Sequence, residues 1–315
     1  MKAIVVKEYK DWKSQSLAPV EVEKPKLETG QLLIKAKAAA LNPIDPMVMA
    51  GLLKGAGWGQ PSPYVPGYDV SGVVEAIGEG VEGFKVGDEV FSKGPIAGTF
   101  AEYCVLPANK VSKKNSKVSF EQAAAVALVG TTAYQSLKAV GVGKESKVLI
   151  LGGSGAVGYL GCQLAKSMGA YVATTASART MEYVKTTGAD KIINYRETKW
   201  EECEDLKGID AVFDSIGENG GFEKAKKIVK EGGSFVSISN PDAGHSPTAH
   251  KEFKYASFFC LKTSVEVQDK LMGMLANETL KINIEKTFPF TKDGVTEAFT
   301  AQTAGKAMGK YVITF

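Results

Sequence analysis

Cysteine and histidine are scarce, with four and two copies in 315 residues. Cys104, Cys162, Cys203 and Cys260 lie far apart in unrelated contexts, which excludes a disulfide framework and predicts four free thiols in a reduced, intracellular chain. His245 and His250 stand at an i,i+5 spacing with no cysteine nearby, so they make no closed tetrahedral metal site. An excess of one charge is also missing: 38 basic and 35 acidic residues leave a formal net charge of +3. This balance gives no basis for a nucleic-acid partner, and the cluster from Lys110 to Lys117 reads as a solvated loop. No stretch approaches ~18 uninterrupted apolar residues, so no membrane span is expected. Internal repeats and low-complexity linkers are absent as well. The opening Met1-Lys2-Ala3-Ile4-Val5-Val6 reads directly as a strand without an apolar targeting core, and a cytoplasmic location is the expectation.

The hydrophobic fraction is 44%, enough for a sizeable core, and the length favours about two domains. Up to Lys114 the chain is a series of short extended runs: Lys2 to Val6, Gln31 to Ala39, Asp69 to Ile77, Glu89 to Phe91 and Phe100 to Leu106. Glycines at 72, 78, 80, 83 and 87 punctuate them, which fits tight turns in a barrel-like β domain. At Ser119 the texture changes. Ser119 and Gln122 read as a capping box opening an Ala-rich helix to about Val126, followed by a second helix from Thr131 to Ala139. Beyond it strands and helices alternate from Lys147 to Ser239, as in a parallel doubly wound sheet. Asn277 to Phe290 reads as extended, before a helix from Asp293 to Gln302 and a last strand from Gly309 to Phe315.

Within the alternating region, the apolar run Val148-Leu149-Ile150-Leu151 leads into Gly152-Gly153-Ser154-Gly155-Ala156-Val157-Gly158 and then a helix-like run. Strand, G-x-G-x-x-G and helix in that order are the context of a dinucleotide loop. Gly153 is expected to permit the tight turn, Gly155 to admit a pyrophosphate, and Gly158 to let helix pack on strand. The helix N-terminus offers free N–H groups to the anion. An NAD site places an acidic residue at the end of the second strand. Here Tyr171-Val172-Ala173-Thr174-Thr175 leads instead into Ala176-Ser177-Ala178-Arg179. A hydroxyl and a guanidinium suit a 2′-phosphate, so the expected cofactor is NADPH. The plainer alternative has Ser177 capping the next helix and Arg179 facing water. Tyr195, after the following strand, is either a further phosphate or adenine contact or a surface aromatic.

Several motifs occur in one order: Leu41-Asn42-Pro43-Ile44-Asp45, Val65-Pro66-Gly67-Tyr68-Asp69, Phe84-Lys85-Val86-Gly87-Asp88, Thr99-Phe100-Ala101-Glu102-Tyr103, Val129-Gly130-Thr131-Thr132-Ala133-Tyr134, the glycine loop, Lys185-Thr186-Thr187-Gly188-Ala189-Asp190 and Asp214-Ser215-Ile216-Gly217. With them the chain resembles, over nearly its whole length, the medium-chain dehydrogenase/reductase superfamily, and within it the zinc-free NADPH quinone oxidoreductase branch. The resemblance implies an α/β fold. A Rossmann doubly wound sheet, residues 119–264, is inserted into a mostly β, barrel-like (GroES-like) catalytic domain of residues 1–118 and 265–315.

Zinc-dependent relatives carry a Cys where Asn42 stands, a His where Tyr68 stands, and a third ligand near Leu128, so the resemblance implies no metal. Without a Lewis acid a simple alkoxide is poorly stabilised. Acceptors that delocalise negative charge are favoured, namely quinones, or alternatively alkenals, enones or enoyl thioesters. A non-catalytic NADPH-binding protein is the reading from another class. By position, Asn42, Asp45, Thr131 and Thr132 are expected beside the nicotinamide or its ribose, with Asn42 and Thr131 in catalytic roles. Turn and helix-cap roles are the alternatives. Tyr64 is the candidate proton donor with Tyr68 second, and Trp58 marks an acceptor-side loop. Ser215, Ile216, Ser237, Ile238 and Ser239 are expected at the carboxyl edge of the sheet with the cofactor. Phe258 and Phe259 are expected to line the acceptor cleft, with core packing as the alternative. The strand Ser234 to Ser239 would leave an edge able to pair with a second copy, and a homodimer is expected.

Overall fold

The computed structural model describes residues 1–56, 59–95, 97–239 and 253–315. They divide into two units, Val129–Leu261 and the pair of segments Met1–Leu128 and Lys262–Phe315. Among the described residues no helix is long and apolar enough to cross a membrane.

In the unit Val129–Leu261, six strands pair in parallel: β1 (Lys147–Leu151), β2 (Tyr171–Ala176), β3 (Lys191–Asn194), β4 (Ile209–Asp214), β5 (Val229–Ser237) and β6 (Phe253–Phe258). Their spatial order is β3-β2-β1-β4-β5-β6, the order of a dinucleotide-binding Rossmann sheet. Val148, Leu149, Ile150 and Leu151 are all buried, as the central strand of a sheet covered on both faces requires. The helix Ala156–Ser167 returns from β1 toward β2 and buries Gly158, Leu160, Cys162 and Leu164. A second cluster joins Trp200, Leu206, Phe235 and Phe253 on the sheet.

The segments Met1–Leu128 and Lys262–Phe315 form a seven-stranded sheet around the strand Gln31–Ala40. That strand pairs antiparallel with Asp69–Ile77, with Tyr103–Pro107 and with Lys310–Thr314. Its pattern exposes Lys35 and Lys37 and buries Leu32 to Ile34, Ala36 and Ala38 to Ala40, so most of both faces is covered and alternation is confined to the middle. The register Val312 opposite Ala40 and Ile313 opposite Ala39 sets Lys310 beside the turn that follows Ala40, where the Leu41 N–H donates to Tyr311 O at 3.0 Å. One core cluster packs Ile4, Leu41, Met49, Phe100 and Phe299 together, and another packs Leu32, Ile34, Val74 and Val90.

Two expectations are corrected, and one helix is new. The two helices expected before β1 are one, Phe120–Ala139; the run Ala123-Ala124-Ala125-Val126-Ala127 carries helix propensity through Gly130, which costs only about 1 kcal/mol relative to Ala. Its start is the capping box: Gln122 N–H donates to Ser119 Oγ and Ser119 N–H to Gln122 Oε1, both at 3.1 Å. The strand expected at the sheet edge, Ser234 to Ser239, is interior, because β6 pairs beyond it. An unexpected helix, Val265–Ala276, is capped by Ser264 and buries Val267, Leu271 and Leu275.

A Cβ placed on Gly158 would collide with the carbonyl oxygen of Gly152. Both partners are backbone, so the loop itself must move. Gly158→Ala is expected to lower unfolding stability by about 1–3 kcal/mol, read from the urea midpoint; an unchanged midpoint would contradict the close approach.

Candidate active site

The carboxyl ends of β1 and β4 lie side by side, Leu151 opposite Asp214, where the strand order reverses and open α/β sheets bind ligands. Gly152 leaves β1 at φ +85° and is the left-handed residue of the turn. The sequence assigns that role to Gly153, whose missing side chain instead makes room for the Thr174 hydroxyl. Ser154 lies in the turn, and at Gly155 a Cβ would meet only Gly152 O at 3.6 Å, an ordinary contact. Gly155 is the N-cap of the helix Ala156–Ser167 and supplies no side-chain bond. The first-turn N–H groups, Ala156, Val157 and Gly158 among them, are therefore donors of the kind that hold phosphate.

The facing loop after β4 is fixed by Asp214, which is wholly buried. Its Oδ1 accepts the N–H groups of Ile216 and Gly217 at 3.0 and 2.9 Å, and its Oδ2 accepts Glu218 N–H at 3.0 Å and the Ser237 hydroxyl at 2.9 Å. Ser215 Oγ donates to Leu151 O at 2.6 Å, and Ile216, 52% exposed, stands over Gly152. Ser237 is a buried link that holds this loop, while beyond the strand end Ile238 is half-buried and Ser239 exposed. At the other side of the sheet β2 and β3 end together, Asn194 opposite Ala176. Exposed Arg179 and Tyr195 follow those ends, so the structure brings the 2′-phosphate candidates to one edge. Ser177 also caps the short turn there, its N–H donating to Thr180 Oγ1 at 3.2 Å. Thr131 and Thr132 are buried inside the helix Phe120–Ala139 and do not start a helix. Phe258 ends the edge strand β6, and Phe259 N–H donates to Ser237 O at 2.8 Å. Trp58, His245 and His250 lie outside the described residues.

The other unit holds a buried polar network. Asn42 Oδ1 accepts from Lys310 Nζ at 2.6 Å, and its Nδ2 donates to Asp69 Oδ2 at 2.9 Å. Its backbone N–H donates to Asp45 Oδ2 at 2.7 Å. Lys310 also donates to Leu41 O at 2.5 Å and stands 3.9 Å from Asp69 Oδ2. None of Asn42, Asp45, Asp69 and Lys310 exceeds 4% exposure, so both polar atoms of the Asn42 amide are engaged within this network. Among the described residues Asp45 Oδ1, Asp69 Oδ1 and the Tyr64 hydroxyl are buried without a hydrogen-bond partner. Burial pushes the Tyr64 phenol up to about 12, so it carries its proton at neutral pH. Tyr68, expected second in the acceptor site, is a core residue at 1% exposure with Lys93 Nζ 5.5 Å from its ring centroid. Burial raises its phenol as well.

Lys310, Asp69 and Asp214 are absent from the sequence-based site. A signal existed for each, since each is a charge at a strand end next to apolar residues: Lys310 before Tyr311-Val312-Ile313, Asp69 before Val70, and Asp214 after Val212-Phe213.

Burial pushes the Asp45 carboxyl up to about 8 and that of Asp69 to about 6, against the lowering pull of Lys310 on both. The unfolded chain releases these protons near pH ~3.9. Stability from both groups is therefore full below that pH and is lost as pH rises, through about 6 for Asp69 and about 8 for Asp45. The slope reaches at most ~1.4 kcal/mol per pH unit per group. Lys310, lowered by burial, runs the other way, its folded form releasing a proton before the unfolded chain does. Asp45→Asn is expected to make the fall in unfolding temperature between about pH 5 and 8 shallower; an unchanged fall would contradict the raised carboxyl.

Residues 28–116 match the alcohol dehydrogenase GroES-like domain family, and residues 187–313 match the family described as zinc-binding dehydrogenase. The chain is 37% identical to a 2-methylene-furan-3-one reductase of Solanum lycopersicum, covering 97% of this chain and 77% of that one. It is 33% identical to a chloroplastic NADPH-dependent alkenal/one oxidoreductase of Arabidopsis thaliana, covering 99% and 81%. The quinone oxidoreductase structure from Coxiella burnetii superposes with a TM-score of 0.88 at 31% identity, covering 100% and 99%. The residues at hand do not fit a zinc ion. Among the described residues no three His, Cys, Asp or Glu side chains converge, and the Lys310 ammonium 2.6 Å from Asn42 Oδ1 would repel a dication. Fold, glycine loop and relatives agree, and the chain belongs to the medium-chain dehydrogenase/reductase superfamily, in its quinone oxidoreductase branch.

Proposed function

We propose that this protein uses NADPH to reduce conjugated carbonyl acceptors, α,β-unsaturated carbonyls first and quinones second, and that it needs no zinc. The observation that carries this reading is the character of the polar groups in the unit that holds Asn42. Tyr64 is a protonated phenol that can donate to an acceptor, and Asn42, Asp45, Asp69 and Lys310 are tied into one network, so the set gives protons and hydrogen bonds rather than metal bonds. A hydroxyl donor stabilises an enolate or a hydroquinone anion, whose charge is already delocalised, better than a simple alkoxide.

The glycine loop fits the cofactor. Its first-turn N–H groups and the open space at Gly155 suit a pyrophosphate, and Arg179 suits the 2′-phosphate, since no acidic residue follows β2 before Glu182. NADPH bound there supplies the hydride. Tyr64 then gives its hydroxyl proton to the reduced acceptor, while Asp214 keeps the loop Ser215–Glu218 in place. Enones stand first because the tomato and Arabidopsis relatives, matched over 97% and 99% of this chain, are named for such substrates. The quinone reading is supported by the Coxiella structure.

An acceptor panel tests the reading. NADPH oxidation is expected with alkenals, exocyclic enones or naphthoquinone, is expected to survive dialysis against a chelator, and is not expected with saturated aldehydes or ketones. Tight NADPH binding with no conjugated acceptor reduced would leave a binding protein instead. Arg179→Ala is expected to weaken NADPH binding roughly 10- to 100-fold, the worth of a charge-assisted phosphate contact, with little change for NADH. Equal losses for both coenzymes would refute the phosphate role.

A further inference from the structure

Asp45 is a buried acid without a cation of its own. It stands in the first turn of the helix Ile44–Met49 at 1% exposure. Its Oδ2 accepts the Asn42 N–H at 2.7 Å, and its Oδ1 has no partner among the described residues. The nearby ammonium, Lys310, is directed at Leu41 O and Asn42 Oδ1 and lies 3.9 Å from Asp69 Oδ2. Lys93 also faces Asp69, as its cross-strand neighbour. Two carboxylates beside one another would carry an uncompensated buried charge, which is costly. With Asp69 taking the cations, Asp45 keeps its proton. The remaining titratable groups that it faces are Tyr64, Tyr68 and Asp69, with Tyr9 behind Tyr64.

Tyr64 is held by a two-way backbone bridge to Val6, at 2.8 and 3.0 Å, and packs on the cluster that contains Leu41 and Met49. Met49 is one turn along the helix from Asp45, on the same face. The Tyr64 ring is partly exposed while its hydroxyl is buried without a partner among the described residues. One packed region therefore contains an acid oxygen and a phenol oxygen, each buried without a hydrogen-bond partner among the described residues.

We propose that Asp45 is the internal proton store of this reductase, restoring the Tyr64 hydroxyl after each proton transfer to the reduced acceptor. The proposal rests on the reductase reading above. Hydride addition leaves an anion on the acceptor. The Tyr64 O–H bond breaks as its proton passes to that anion, and the phenolate then takes the Asp45 carboxyl proton directly or across one water. Solvent returns a proton to the Asp45 carboxylate before the next turnover, so each cycle consumes one hydride and one proton. The direction is downhill, because burial holds Asp45 at about 8 and Tyr64 at about 12. Asp45 touches no acceptor; it acts through Tyr64.

The test is kcat from about pH 6 to 10 at saturating NADPH, with an acceptor that the wild type reduces, for wild type, Asp45→Asn, Tyr64→Phe and the double variant. Wild-type kcat is expected to fall on the alkaline side with a midpoint near 8 as the store empties. Asp45→Asn is expected to lower kcat about 10- to 100-fold and to erase that alkaline fall. The double variant is expected to be no slower than Tyr64→Phe, because the two groups serve one path. An Asp45→Asn enzyme that keeps the wild-type alkaline limb, or losses that multiply in the double variant, overturn the proposal. If Asp45→Asn does not fold, Tyr64→Phe decides: its alkaline limb vanishes if the store works through Tyr64, and an unchanged limb overturns the idea. A wild type inert toward every acceptor, yet showing an infrared band of a protonated carboxyl, overturns the reductase reading and the relay with it. That outcome is distinct from an active wild type with an indifferent Asp45.

Discussion

The buried ammonium of Lys310 is the contact on which the acceptor-side unit depends. It enters on the strand Lys310–Thr314, reaches the carbonyl of Leu41 and the amide of Asn42, and brings positive charge to a region that already holds two carboxyls. In water such a pair contributes little, but inside a protein the geometry decides the sign. Here the ammonium also orients Asn42. With Oδ1 turned to Lys310, Nδ2 must face Asp69, and the backbone N–H is left to hold Asp45. One cation thereby sets the direction of a chain of hydrogen bonds and selects which acid ionises.

The nucleotide-binding unit solves a different problem with backbone alone. Gly152 turns the chain out of β1, Gly158 lets the helix come down onto that turn, and Asp214 gathers the N–H groups of the opposite loop. Few side chains of this unit need to touch a cofactor for it to be held. In the proposed reading, coenzyme specificity is left to the outer edge, where Arg179 comes before the first acidic residue, Glu182, in sequence, and where a guanidinium can separate one coenzyme from the other.

Much of this was legible in the residues. The Rossmann alternation and the glycine loop are local patterns, readable from periodicity and spacing, and the Ser119 capping box is fixed within four residues. The Lys310 network was not legible, because its central hydrogen bond joins residues 268 positions apart and no local pattern encodes such a contact. The left-handed turn fell one residue earlier than motif spacing suggests, since the motif fixes which glycines are needed and not which φ each adopts. The helix Val265–Ala276 was hidden by its own ambiguity: apolar Val267, Leu271 and Leu275 recur at helical spacing, but the flanking extended segments dominate the local composition. The burial of Tyr68 and Ser237 was not legible either, because it is decided by strands elsewhere in the chain.

The pairing of Lys310–Thr314 with Gln31–Ala40 also bears on how the protein is made. Residues of Val129–Leu261 have all their sheet partners within that segment, so this unit can close while the ribosome is still at work. The sheet of the other unit must wait, its strand Gln31–Ala40 lacking one neighbour until Lys310–Thr314 has emerged. Domains that form in this staggered way expose a sheet edge during synthesis. The short-lived nascent form, rather than the finished enzyme, is where this fold is open to aggregation and to chaperone capture.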